Sequence, residues 1–504
     1  MVLLMSDEIT LTELGNHWIS RNWFKQRYWM FAQRQACAPA LERTIAILLP
    51  NGQEFRITVS ALVGDFARIP SGDSAQGNAT LRHRKEEHMK ARNFTLAITV
   101  SVVTAMTIPT DLVAQNQIRY TVTDLGTLGG TFSQAFGMNN NGWVVGFSTL
   151  PGDIALHAFV WRKGVMTDLG TLGGPLSAAS SVNDAGQVVG YSETSTPDPN
   201  GEDFCGFGDH LVCLPVLWQS GVITALPTLG GNNGVGNNIN NRGQVVGATE
   251  ITERDPTCIP PQVLVFKPTI WEEGQPSALP TAPFPDGGTG PAGSDDKGQV
   301  VGNVGNCTLS SSAALIWEKN QGTDMGLFQG TVLAPVSINN QGQATGTYTT
   351  TVDRGFLWQD GVTIDLGELP GFPTVHGNSI NDKGQIAGQT CSPVTCTAFL
   401  WRDGVMTDLN TVVSVGSLYM FDPASINSSG EIVGLGIDFA AGQAHAFLAI
   451  PCDGTHANQK SCTGKSATAA PAEPSQGLNV ALPENVRRLL NGRVGVRFHI
   501  PSAF

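Results

Sequence analysis

Charged side chains are scarce in this chain, at 14% of 504 residues. Familiar catalytic signatures are missing too. There is no Gly-x-Ser-x-Gly, no His-Glu-x-x-His and no phosphate-binding loop. Those absences exclude a nucleophile elbow, a zincin helix and a nucleotide cradle. No Cys-x-x-Cys pair occurs and no His stands at ligand spacing, which argues against structural zinc. A basic surface is also lacking. Residues 115–452 hold 11 Lys and Arg against 29 Asp and Glu. Such a body repels nucleic acid phosphates and anionic membranes, so neither is an expected partner.

What the chain has in abundance is Gly, 59 in all. Gly and Asn gather in short motifs rather than in a low-complexity tract, so the composition does not read as disordered. The chain is too long for one ordinary core unless it forms a barrel or a repeat fold.

The amino-terminal part divides at Met89. Met89-Lys90-Ala91-Arg92 is a basic start, Phe94 to Ile108 is largely apolar, and Pro109 followed by Leu112-Val113-Ala114 offers a cleavage point. Residues 89–114 therefore read as a secretory signal. The apolar run of about 15 residues is short of the ~20 that span a bilayer. An anchor over 93–108 is the alternative, since Arg82, Arg84, Lys85, Lys90 and Arg92 all precede it. Codons compatible with Lys85-Glu86-Glu87-His88-Met89 contain a ribosome-binding sequence. Translation is accordingly expected to start at Met89, which makes residues 1–88 translated leader sequence rather than part of the protein. The competing reading is a short cytoplasmic segment with a helical patch at Trp18, Trp23 and Trp29.

Eight cysteines follow Met89: Cys205, Cys213, Cys258, Cys307, Cys391, Cys396, Cys452 and Cys462. An even count after a signal suggests disulfides in an oxidising compartment. The close pairs 205–213, 391–396 and 452–462 are plausible partners, which leaves 258–307. Spacing alone does not fix the connectivity.

Self-similarity is the strongest signal. The phrase Asn183-Asp184-Ala185-Gly186-Gln187-Val188-Val189-Gly190 has counterparts starting at Asn139, Asn240, Asp295, Asn339, Asn381 and Asn427. The turn glycines, 142, 186, 243, 298, 342, 384 and 430, lie 42 to 57 residues apart. Six strands end in Trp (Trp161, Trp218, Trp271, Trp317, Trp358, Trp401), followed by a tight turn, with Gly in most, and then a strand such as Thr-Asp-Leu at 167–169. Four short strands per unit of about 45 residues suit a propeller blade. The fold class is thus read as all-β, a seven-bladed β-propeller over 115–452. Its flanks read as disordered or helical, including a linker and tail over 453–504. The first unit begins at Tyr120 without a Trp-type strand, and the last ends with an extra one, His445 to Ile450. That strand is expected to close the ring and remove its open edges.

His157-Ala158-Phe159 and His445-Ala446-Phe447, with the Thr-Asp-Leu-Gly and Gly-Gln-Val-Val-Gly phrases, resemble the HAF-repeat family of extracellular bacterial proteins over roughly 119–451. The resemblance implies secretion and a propeller-like body. It implies no chemistry.

Both tight turns fall on one face of such a ring, and the Gly-rich and long loops on the other. The long-loop face, with its insertions at 191–214 and 248–267, is the expected place for a ligand. There His210 and His376 break the repeat, with Asp203, Asp209 and Glu368 near in sequence for an acid–base pair. Asp124, Asp168, Asp324, Asp365 and Asp408 share one repeat position and are expected to cap local turns rather than form a cation-binding ring. His157 and His445 are expected to pack within the sheet. No catalytic, cofactor-binding or metal-binding residue is assigned, and no cofactor. The functional expectation is a secreted, non-catalytic binding or surface scaffold for an unknown ligand, a glycan or an envelope component. The alternative is an extracellular polymer-degrading enzyme, a polysaccharide hydrolase or lyase, with its site on the long-loop face.

Overall fold

The computed structural model describes residues 42–48, 54–60 and 118–452, apart from 255–257, 259–261, 283–289, 306–311, 320 and 417. The chain divides into two compact units, Met1–Val102 and Val103–Phe504. The signal at 89–114, the Trp18–Trp29 patch and the tail from 453 lie outside the described residues.

In the first unit, Glu42–Leu48 pairs antiparallel with Glu54–Ser60. This corrects the expectation of a disordered or helical flank for that stretch. Ile45, Ile47, Ile57 and Val59 alternate with Thr44, Ala46, Arg56 and Thr58, and Asn51-Gly52 lies between the runs. Alternation around Asn-Gly is a hairpin pattern.

Among the described residues the second unit is nearly all-β, with a 3-10 turn at Leu409–Val412. In its first repeat Ser133–Met138, Val144–Thr149, Leu156–Arg162 and Val165–Asp168 follow one another as an antiparallel sheet. The same four-strand order recurs in each repeat, and one parallel bridge, Leu156 to Leu176, links the first two sheets. The seventh sheet is completed by the other end of the chain. Tyr120–Asp124 pairs with Gln443–Pro451, so the carboxy-terminal strand does close the propeller. Closure leaves no linear array ends to cap.

The repeat phrases have direct structural causes. Pairing of Val144 with Trp161 places the Asn-x-x-Gly and Trp-x-x-Gly turns at the same end of the sheet. Gly186 adopts φ 78°, the left-handed conformation its turn requires. Gly190, at the end of Val-Val-Gly, has another reason to lack a side chain: a Cβ there would sit 2.0 Å from Ala178 O. The neighbouring strand bulges between Ala179 and Ser181, which forces this close approach. Trp218, Trp271 and Trp317 are buried, and each donates from Nε1 to a carbonyl of the preceding repeat (Leu169, Pro227 and Pro280). The Trp thus fills apolar space and satisfies its polar edge.

Disulfides join Cys205 to Cys213 and Cys391 to Cys396. Cys258 and Cys452 are disulfide-bonded as well. Their expected partners, Cys307 and Cys462, lie outside the described residues. These bonds belong to an oxidising, extracellular setting. Among the described residues no helix is long and apolar enough to cross a membrane.

Candidate functional site

The repeated Asn of each tight turn does two jobs. Asn183 Oδ1 accepts from Gln187 N at 3.0 Å and so caps its own turn. Its Nδ2 donates to the carbonyl of Asn240 in the next repeat at 3.1 Å. The same links run from Asn139 to Asn183, Asn240 to Asp295, Asn339 to Asn381, Asn381 to Asn427, and Asn427 back to Asn139. These side chains are all about 95% buried. An amide is required because one atom must accept and the other donate.

One position breaks the circle. Asp295 keeps the cap, accepting from Lys297 N and Gln299 N at 3.0 and 2.7 Å. It has no N–H to offer the next repeat, and its Oδ2 is buried without a partner. Burial pushes the carboxyl above its ordinary range, against the pull of its backbone bonds and of Lys297.

The following residue of each turn forms a second ring, nearer solvent. Its members are Asn140, Asp184, Asn241, Asp296, Asn340, Asp382 and Ser428. Backbone N–H groups donate to the next side chain, as Asp184 N does to Asn241 Oδ1 at 2.8 Å. Amides and carboxylates alternate. Asn241 Nδ2 bonds Asp184 Oδ2 and Asp296 Oδ2 at 3.3 and 3.1 Å, and Asn340 Nδ2 bonds Asp296 and Asp382 likewise. Seven is odd, so strict alternation fails once, and Ser428 stands at that point.

Beneath these rings lies a cavity of about 190 Å³, walled by polar positions of the inner strands such as Ser181, Asn238, Ser294, Ser337 and Ser379. Past the cavity, which Phe136 also lines, the sheets meet in an apolar cluster that includes Phe132, Tyr191, Tyr419 and Phe421. Phe207, from the loop closed by Cys205–Cys213, packs into it. On the long-loop face the 191–214 insertion supplies an apolar plug, while this cavity opens among the tight turns.

The expected acid–base pairs do not assemble. His210 Nδ1 meets Gly201 O at 2.8 Å, and Asp203 accepts from Gly208 N. Glu368 binds Arg354, while His376 Nδ1 meets Thr347 Oγ1 at 3.4 Å. Instead, Asp203 and Asp209 act on Glu193, which sequence reasoning passed over. Burial first, then the repulsion of Asp209 and Asp203, pushes Glu193 up to about 8. Glu250, its repeat equivalent, is also pushed up to about 8, by burial and by Glu202. Two Glu at the same repeat position, each beside a long insertion, were the available signal.

The shared Asp position behaves as a turn cap. Asp124, Asp168, Asp324, Asp365 and Asp408 each accept from a backbone N–H two residues on. His157 and His445 bind Asp168 and Asp124 at 2.8 and 2.9 Å, and Arg354 takes the same role for Asp365. Burial opposes the charge of Asp168 and Asp124, but the His bonds and the turn N–H groups outweigh it and hold both below the usual range.

No family model and no curated protein matches this chain. Solved structures of similar fold include a puromycin-hydrolysing peptidase of Mycobacterium tuberculosis, with TM-score 0.42 and 11% identity over 65% of this chain and 55% of that one. An acylaminoacyl peptidase of Pyrococcus horikoshii has TM-score 0.39 and 10% identity over 62% of this chain and 50% of that one. The β-propeller domain of the trilobed protease of Pyrococcus furiosus has TM-score 0.37 and 12% identity over 55% and 81%. The chain thus spans about half the length of the two peptidases. This likeness extends to the fold alone. The expected non-catalytic scaffold is not upheld: the similar structures are peptidases, and what they act on is said of those proteins alone.

Proposed function

We propose that this chain acts in the hydrolysis of a polar polymer, with the mouth at the tight-turn face receiving the substrate. The observation that carries this reading is the pair of carboxylates, Asp184 and Asp296, sharing Asn241 Nδ2 at the rim of a polar cavity. Hydrolysis needs a base beside a bound polar chain and a group that orients water. The alternating amides and carboxylates supply donors and acceptors for both. Asn140 N and Asn241 N donate to Asp184 Oδ1 and Asp296 Oδ1 at 2.9 and 2.8 Å, which holds both carboxylates in place at the rim.

The repeat phrases support membership of the HAF-repeat group of extracellular proteins, and the basic-apolar stretch from Met89 supports export. The disulfides suit the same compartment. The test is an assay of the purified chain on soluble polysaccharides and on unstructured polypeptides, reading new reducing ends and new amino groups. Turnover that falls at least tenfold in Asp296→Asn supports the reading. Turnover by neither route, or turnover untouched by Asp296→Asn, refutes it.

A further inference from the structure

The break in the buried ring exposes a mismatch of hydrogen-bonding partners. In six repeats the amide reaches the next repeat's carbonyl, as Asn381 Nδ2 reaches Asn427 O at 2.9 Å. At the seventh, the equivalent atom is Asp295 Oδ2, and the carbonyl it would meet is that of Asn339. Asn339 O accepts the turn N–H of Gly342, as each ring carbonyl does, but no ring amide donates to it. Two acceptors therefore stand where every other repeat has a donor and an acceptor. An unmatched buried acceptor is costly, more so when it is a carboxylate.

Both residues line the cavity. Asp184, Asp296 and Asp382 line it too, and no Lys or Arg does. The nearby cation is Lys297, on the exposed side of the same turn. Among the described residues no group of three or more His, Cys, Asp or Glu is arranged to hold a metal ion. The gap calls for something that donates hydrogen bonds to two oxygens and carries positive charge.

We infer that the mouth binds a ligand through a cationic nitrogen with several N–H donors, a primary ammonium or a guanidinium, bridging Asp295 Oδ2 and Asn339 O. This names the substrate feature recognised at the proposed hydrolytic site, and it rests on that site being the mouth. Direct binding is the readout, so failure to hydrolyse a polymer does not decide it.

The experiment is calorimetric titration of the full chain with ethylammonium and methylguanidinium chlorides, against potassium chloride at equal ionic strength. Wild type is expected to bind the nitrogen cations saturably and potassium not at all. Asp295→Asn restores the missing donor, so it is expected to fold with a higher unfolding midpoint and still to lose affinity by about tenfold or more. Asp296→Asn is expected to weaken binding less, because the Asp296 oxygens are already bonded within the outer ring. Equal affinity in Asp295→Asn, equal binding of potassium, or no saturable binding overturns the inference. A lower midpoint for Asp295→Asn overturns it as well, since that removes the mismatch on which it stands.

Discussion

Asn427 donates from Nδ2 to the carbonyl of Asn139 at 3.3 Å, joining the last repeat to the first across 288 residues. This bond and the pairing of Tyr120–Asp124 with Gln443–Pro451 close the same seam at two radii of the ring. One is a side-chain link beside the cavity, and the other is a strand ladder at the rim.

Ring asparagines are expected to be more sensitive than their size suggests. Asn183→Asp keeps the cap but loses the donor and buries a charge, a cost of about 1–3 kcal/mol. Asn183→Ala loses both functions and should cost at least as much. Urea unfolding of the two variants measures this. Wild-type stability in Asn183→Asp contradicts the ring.

Glu193 is expected to make the protein less stable as pH rises. Its folded value is raised from 4.5 to about 8, so the unfolded chain releases the proton first. Stability therefore falls between those two values and levels off above them. Glu193→Gln removes its own share of that slope, Glu250 keeping the rest, and the gain should be largest at pH 8 and above. Unfolding midpoints from pH 5 to 9 check it. An unchanged pH slope in Glu193→Gln rules the assignment out.

The His–Asp pairs act at the acid end. Asp168 and Asp124 lie below 3.8 in the folded state, so their contribution is present above that value and is lost as pH falls through the folded one. Asp168 is 40% exposed, and solvent screening keeps the pair small, at less than about 1 kcal/mol. A double-mutant cycle on His157→Ala and Asp168→Asn should show this coupling fade as pH falls below 3.8 and vanish once Asp168 is protonated. Coupling that persists there argues against an ion pair.

Reduction should loosen the plug before it opens the ring. Cys205–Cys213 holds the loop that carries Phe207, whereas Cys391–Cys396 closes a tight hairpin between paired strands. Cys205→Ser with Cys213→Ser is expected to cost about 2–3 kcal/mol. Hydrogen exchange should rise in 198–213 and stay slow in Val188–Pro197. Uniform exchange across both segments contradicts a separable plug.

The repeat was legible because each phrase has a steric cause. The Asn-x-x-Gly turn needs an acceptor and a positive φ, and Val-Val-Gly needs a missing Cβ against Ala178 O. Closure was legible from the unmatched strands at the two ends. The site was not. Asp295 reads as an ordinary substitution of Asn until the Nδ2 links of the other six repeats are seen. Likewise His210 and His376 drew attention as unrepeated His in loops, yet backbone geometry turns His210 to Gly201 O and sheet packing holds His376 beside Thr347. Side-chain direction, rather than sequence proximity, decides which groups meet.

The central claim is a buried amide circle interrupted at one residue, and the unfolding midpoint of Asp295→Asn at pH 7 tests it most directly. The account predicts a higher midpoint than wild type, by the ~1–2 °C that about 1 kcal/mol of restored hydrogen bonding gives in a domain of this size. A midpoint equal to or below wild type contradicts it.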